Sequence, residues 1–253
     1  MALSAALHAR TLETVVAAGA AVGLAVGGMV YAALSRGSQL FGATIIAGRD
    51  PAEIALTYDD GPNTAATPQL LDVLARHNVR ATFFLIGSFV RQQPTLAREI
   101  AAAGHAIGNH TMTHPWLAWQ SEARIREELG GCNAALEDVL GARVTLFRPP
   151  HGARRPAVFR AAAALGLRVV QWNVIAHDWN ADPADRLLAR IEASIRRNQR
   201  RGRGSNILLH DGGQTGMGQP RLATVQATDQ FLTKQFLTDG RESVRFVTPE
   251  AWF

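Results

Sequence analysis

Ile54-Ala55-Leu56-Thr57-Tyr58-Asp59-Asp60-Gly61-Pro62 is the stretch on which the fold turns. Its first half is a short apolar run, the pattern of a strand buried on both faces. Its second half stops that run with two carboxylates and a Gly-Pro turn. The same grammar recurs downstream. Strands are expected at 80–86, 105–109, 144–147, 167–172, 207–209 and 244–247. Helical spacing is expected at 67–78, about 95–103, 121–140, 156–165, about 183–198 and 221–237. Apolar strands alternating with helices predict a parallel α/β sheet joined by right-handed crossovers. About seven such units after residue 50 point to a closed or nearly closed barrel rather than an open sheet.

The ionisable residues fall where such a barrel carries its chemistry. Asp59 and Asp60 end the first strand, His110 and His114 follow the third, and Arg148 follows the fourth. Asp178 and Trp179 come after the Trp172 strand, and His210 and Asp211 after Leu209. Strand C-terminal ends form the site-bearing face of βα barrels. His110 and His114, four apart, are expected on one side of a helical turn, able to grip one ion. On their own they are more often two polar histidines at a helix end. A carboxylate from Asp59 or Asp60 would complete a His2Asp set with open positions, as catalytic zinc sites have. The adjacent aspartates are otherwise a plain turn. Together they divide two tasks, one ligating and the other taking a proton from water. Arg148, stiffened by two prolines, would keep a carboxylate ionised. His210 beside Asp178 would be raised in pKa and able to donate a proton to a leaving amine.

The 253 residues carry 26 Lys and Arg against 21 Asp and Glu, a net charge of +5, and 47% are hydrophobic. That composition excludes wholesale disorder. A single cysteine, Cys132, excludes an intrachain disulfide and any cysteine-rich metal site. The run Arg196–Arg203 has no interleaved aromatics and suits a solvated helix C-terminus better than a nucleic-acid site. No nucleic acid and no obligate protein partner are expected. From Thr14 to Ser35 no residue is charged, a length able to span a bilayer as a helix. Residues 1–36 are therefore expected to be a membrane anchor, with a cleaved signal segment and a secreted product as the alternative. Residues 37–50 read as a linker and 51–253 as the catalytic domain, placed outside the cytoplasm.

Thr57-Tyr58-Asp59-Asp60-Gly61-Pro62, His110-Thr111-Met112-Thr113-His114, Arg148-Pro149-Pro150-His151-Gly152, Asp178-Trp179 and Leu208-Leu209-His210-Asp211 stand in order. The set resembles the five motifs of the polysaccharide deacetylases, the NodB-homology family or carbohydrate esterase family four. The resemblance covers roughly residues 50–250. It implies a distorted (β/α)7 barrel that removes acetyl groups from N-acetylated sugars with a divalent metal. It implies Asp59 as base, with Asp60, His110 and His114 as metal ligands. Arg148 would orient Asp59, and Asp178 would tune the acid His210. The backbone N–H of His151 would help hold the oxyanion, and Trp179 and Leu208 would shape the acetyl pocket. The sequence departs from the family pattern at Tyr58, where Phe is usual, and at His151, where Tyr or Phe is usual. It also departs at Ile175, where an acidic residue is usual, changes that bear on substrate preference.

The expected protein is thus a metal-dependent N-deacetylase of an envelope glycan, peptidoglycan or chitin-like. Zinc is the expected cofactor, with cobalt or nickel able to substitute. The alternatives are a deformylase or deacetylase of a lipid-linked sugar, and an inactive carbohydrate-binding member of the same fold.

Overall fold

The computed structural model describes residues 19–237 and 244–253. Its sheet is built from β1 (Glu53–Gly61), β2 (Thr82–Leu85), β3 (Ala106–Asn109), β4 (Leu146–Phe147), β5 (Arg168–Val169), β6 (Val174–Ile175), β7 (Ser205–His210) and β8 (Arg245–Phe246). The order is β5-β4-β3-β2-β1-β7-β6, with β8 beside the start of β1. Every pairing is parallel. Strands β5 and β6 do not pair with each other, so the sheet curls without closing. This is the nearly closed barrel that the alternating pattern predicts, with the distortion that the family resemblance implies.

The crossover helices are α2 (Thr67–Arg76), α3 (Gly87–Gln92), α4 (Pro94–Ala102), α5 (Glu122–Leu140), α6 (Pro156–Ala164), α7 (Ala184–Gln199) and α8 (Leu222–Leu237). Several start where the sequence signals a start. Pro68, Pro94 and Pro156 occupy first-turn positions, where their missing N–H is not needed. Helix α5 is capped by the Ser121 side chain accepting from Arg124 N–H, and ends at Gly141 with φ 64°, a left-handed stop suited to glycine. Two elements differ from expectation. Helix α3 opens on Gly87, a poor helix former, and β6 is only two residues long, too short for a periodic signal.

The core lies between sheet and helices. Leu70, Leu74, Leu129, Leu136, Ile191 and Phe231 bring helix stripes onto Leu56, Tyr58, Phe83 and Leu209. Inside the curl the filling is partly polar. Thr57 Oγ1 donates to Ile207 O (2.7 Å), and Asn206 Nδ2 donates to Gln171 O (2.8 Å). Both layers sit beneath Arg148, itself fully buried.

Residues 19–34, here α1, are helical. Among the described residues no helix is long and apolar enough to cross a membrane. The expected span starts at Thr14, and its first residues, 14–18, lie outside the described residues, as does the rest of the expected anchor before them. The stretch 37–50, expected as a linker, lies against the barrel. Ile45 bridges Val170, its N–H donating to Val169 O (2.8 Å), and Gly48 O accepts from Gly204 N–H (3.0 Å).

Candidate active site

A cleft of about 590 Å³ opens at the C-terminal ends of the strands. At the end of β1, consecutive residues on a regular strand would face opposite sides. The pairing of β1 with β2 slips between Asp59 and Gly61, and Asp60 takes φ 71°. A bulge of this kind re-aims side chains, and both carboxylates line the cleft. The loop after β7 closes over them tightly. A Cβ on Gly212 would collide with the carbonyl of Asp60, so the close approach requires glycine there.

The histidine pair is not on a helical turn, contrary to the sequence reading. Residues 110–114 are irregular, with a bend at Met112 and Thr113, and Thr111 and His114 have φ 68° and 61°. That left-handed backbone is costly for non-glycine residues and is held by neighbours. Thr111 N–H donates to Asn109 Oδ1 (2.8 Å) and His114 N–H to Thr111 Oγ1 (3.0 Å). Glu128, buried on α5, accepts from Thr113 N–H (2.8 Å) and Thr113 Oγ1 (2.6 Å) and pairs with Arg124 (2.6 Å). The outcome still brings the imidazoles together, with ring centroids 5.0 Å apart.

These rings face one carboxylate oxygen. Asp60 Oδ1 lies 3.3 Å from His110 Nε2 and 3.1 Å from His114 Nε2. His110 Nδ1 lies 2.7 Å from the carbonyl of Arg148. A carbonyl only accepts, so Nδ1 carries the hydrogen and Nε2 presents a lone pair. A lone pair aimed at a carboxylate calls for a cation between them. Asp60 Oδ1 is buried with no hydrogen-bond partner, and the three donor atoms lie within 4.8 Å of one another. The donor set therefore fits a divalent metal ion.

Beside this triad, Asp59 Oδ1 accepts from Arg148 Nη1 (2.7 Å), which also donates to Thr57 Oγ1 (2.8 Å). Arg148 Nη2 reaches Gln171 O (3.2 Å), and the guanidinium lies 4.1 Å over the Phe84 ring. Burial lowers the arginine, and the adjacent Asp59 charge opposes that. Asp59 Oδ2 is 3.7 Å from His110 Nε2, so base candidate and triad share one space.

Across the cleft stands His210. Its N–H donates to Asp178 Oδ2 (2.7 Å) and its Nδ1 lies 2.8 Å from Asp178 Oδ1. Thr224 Oγ1 completes the carboxylate's shell at 3.0 Å. Burial alone would lower the imidazole. The Asp178 charge and hydrogen bond, with Asp60 and Asp59 further off, outweigh it and push His210 up to about 9. Asp178 moves reciprocally, with burial raising it and the His210 charge and hydrogen bonds lowering it below the usual range. Trp179 stands edge-on to His210 at 5.4 Å, and Leu208 and Ile175 give the cleft an apolar wall.

His151 forms another wall with φ 57°. Its ring stacks on Trp116 at 3.9 Å and meets His114 edge-on at 4.8 Å. Burial, and then the nearby histidines, lower it to about 4. The loop after β7 contributes Gln214, Gln219 and Arg221 to the lining.

The residues singled out in the sequence are thus gathered in one place. Sequence reasoning missed Glu128, Asn109, Gln171 and Thr224, which hold the others. It also missed Trp116, whose position right after His114-Pro115 was the available signal.

A profile of the polysaccharide deacetylase family matches residues 47–170. A chitooligosaccharide deacetylase of Bradyrhizobium sp. (strain ANU 289) is 39% identical over 160 residues, 63% of this chain and 70% of that protein. The peptidoglycan-N-acetylglucosamine deacetylase PgdA of Listeria monocytogenes serotype 1/2a (strain 10403S) is 36% identical over 181 residues. That match covers 72% of this chain and 35% of the Listeria protein. The crystal structure of the Bc1960 peptidoglycan N-acetylglucosamine deacetylase superposes with a TM-score of 0.71 at 32% identity, over 82% of this chain and 91% of that one.

Proposed function

The chain belongs to the polysaccharide deacetylase family, and on that premise we propose that it hydrolyses the acetamide of an N-acetylglucosamine-type residue in an envelope glycan, peptidoglycan or chitin-like. The barrel acts outside the cytoplasm, tethered through residues 14–35. The observation that carries the reading is the polarity of the cleft. A cation-binding triad and a carboxylate stand on one side, and an imidazole held protonated stands opposite.

Asp60, His110 and His114 hold the metal, and two imidazoles with one carboxylate favour zinc. When bound, a divalent cation supplies Lewis-acid polarisation of the amide carbonyl and acidifies a water. Asp59 accepts the proton of the attacking water. Arg148 orients that carboxylate and fixes its rotamer through the 2.7 Å contact. The backbone N–H of His151 donates to the oxyanion, a kind of contact worth roughly 3–4 kcal/mol. His210 Nε2 delivers its proton to the departing nitrogen, while Asp178 fixes the tautomer through Nδ1. Trp179 and Leu208 receive the acetyl methyl group.

The test is acetate release by the full chain from chitin oligomers and from peptidoglycan, with added zinc or cobalt and with chelator. Chelator-sensitive release is expected. A folded, metal-loaded protein that releases acetate from neither would overturn the reading.

A further inference from the structure

The end of α1 is welded to the rim of the cleft. Arg154 is 1% exposed and, among the described residues, pairs with no carboxylate. Its Nη2 instead donates to Ser35 O (2.7 Å), Ser38 O (2.9 Å) and Arg36 O (3.3 Å), and its backbone N–H to Ala33 O (3.0 Å). The last carbonyls of a helix lack intrahelical partners and carry the negative end of its dipole. Here the Arg154 backbone N–H takes the Ala33 carbonyl, and the buried guanidinium holds the turn that follows the helix. Arg154 Nη1 also donates to Gly152 O (2.9 Å), the residue after His151 in the cleft wall.

Beyond that weld, among the described residues, the helix has no partner. Every residue from 19 to 31 is exposed, including Val22, Leu24, Val26, Met29 and Tyr31, and the sequence stays uncharged back to Thr14. A helix apolar on all sides is suited to no aqueous face. The same rim exposes aromatic surface. Trp119 is 72% exposed and Trp116 45%, and Arg155 Nη2 ties the Trp116–Gln120 turn to the α1 weld through Gln120 O (2.7 Å). Tryptophan favours the boundary between lipid and water.

We infer that the cleft-bearing face of the barrel rests on a lipid bilayer, with α1 embedded, Arg154 fixing the barrel to it and the rim tryptophans at the headgroups. The substrate is then an N-acetylated saccharide held at the membrane surface by its own lipid, rather than distant polymer. This rests on the deacetylase reading above and narrows its substrate class.

The full chain is reconstituted in phosphatidylcholine–phosphatidylglycerol vesicles. Two probes are compared, a free chitin oligomer and the same oligomer joined to a polyisoprenyl chain in the bilayer. The wild type is expected to turn over the lipid-linked probe at least tenfold better in kcat/KM. Arg154→Gln is expected to lose about tenfold on that probe and to stay within twofold on the free oligomer, with Arg154→Lys recovering part of the loss. Independently of activity, headgroup-nitroxide lipids are expected to quench tryptophan fluorescence in the wild type and less in Arg154→Gln. If Arg154→Gln fails to fold, Val26→Arg replaces it, expected to release the chain from floated vesicles while sparing the free oligomer. Free-oligomer turnover with no lipid-linked preference, no quenching or no flotation overturns the inference and leaves the deacetylase standing. So does a Trp119→Ala variant that loses free-oligomer turnover without loss of quenching, because the rim is then a sugar shelf. Acetate from neither probe overturns both readings.

Discussion

Asp178→Asn isolates one electrostatic contact. The amide oxygen of asparagine still accepts from His210 Nδ1–H, so ring orientation survives while the charge is lost. In the wild type the imidazole is carried from 6.5 to about 9 against its own burial. That difference is worth about 3 kcal/mol in favour of the protonated form. Without the carboxylate, burial is opposed only by the more distant Asp60 and Asp59, and a return to the ordinary 6.5 is the expected outcome. At pH 8 the protonated fraction drops from about nine-tenths to a few per cent, a loss of roughly 30-fold in any step that needs the acid. The alkaline limb of the rate profile moves down by about 2.5 pH units. Stability carries the same sign. A histidine raised by folding contributes stability that is complete below 6.5 and is lost as pH rises through about 9. The variant therefore loses its stability deficit relative to wild type above that range. Acetate release from pH 5 to 10, with the His210 imidazole followed by NMR, measures both. An unmoved alkaline limb, or an imidazole titrating alike in both proteins, would refute His210 as an acid tuned by Asp178.

Three further outcomes follow from the site's geometry. Asp59→Asn is expected to lower kcat by roughly 100- to 10,000-fold, the usual worth of a general base, with metal content unchanged by elemental analysis. His110→Ala removes one of three ligands, so equilibrium dialysis should show metal affinity down by tenfold or more, while a far-ultraviolet spectrum like wild type checks the fold. Glu128→Ala strands the Thr113 N–H and the ion pair with Arg124. It should cost about 1–3 kcal/mol in chemical denaturation and weaken metal binding through misplacement of His114. A Glu128→Ala protein as stable and metal-tight as wild type would show that the bend needs no carboxylate.

Much of this site was legible because parallel barrels put chemistry at strand ends. Asp59, Asp60, Arg148 and His210 each interrupt an apolar run, and interruption is visible in one dimension. The His110–His114 spacing was visible too, but its backbone was not. A four-residue interval reads as helical unless the left-handed angles of Thr111 and His114 are known, and neither residue type announces them. Glu128 was hidden for the opposite reason. It sits amid the charged turns of α5, where a carboxylate normally meets water, and only the packing of α5 on the bend buries it. Arg154 was one arginine among many until Ser35, Arg36 and Ser38 came to meet it. Strand β6 and helix α3 were too short or too glycine-led for periodicity to register.

The curl of the sheet also sets an order of assembly. Strand β1 lies between β2 and β7, yet β7 is made about 150 residues later in the chain. As the polypeptide leaves the ribosome, the half holding Asp59, Asp60, His110, His114 and Arg148 emerges first. It carries the whole cation-binding set and one naked strand edge along β1, the kind of edge that recruits wrong partners. Arrival of Ser205–His210 seals that edge and, in the same motion, delivers the proton donor. The cation-binding set thus precedes its proton donor along the chain, and hydrolytic competence waits for β7 to dock.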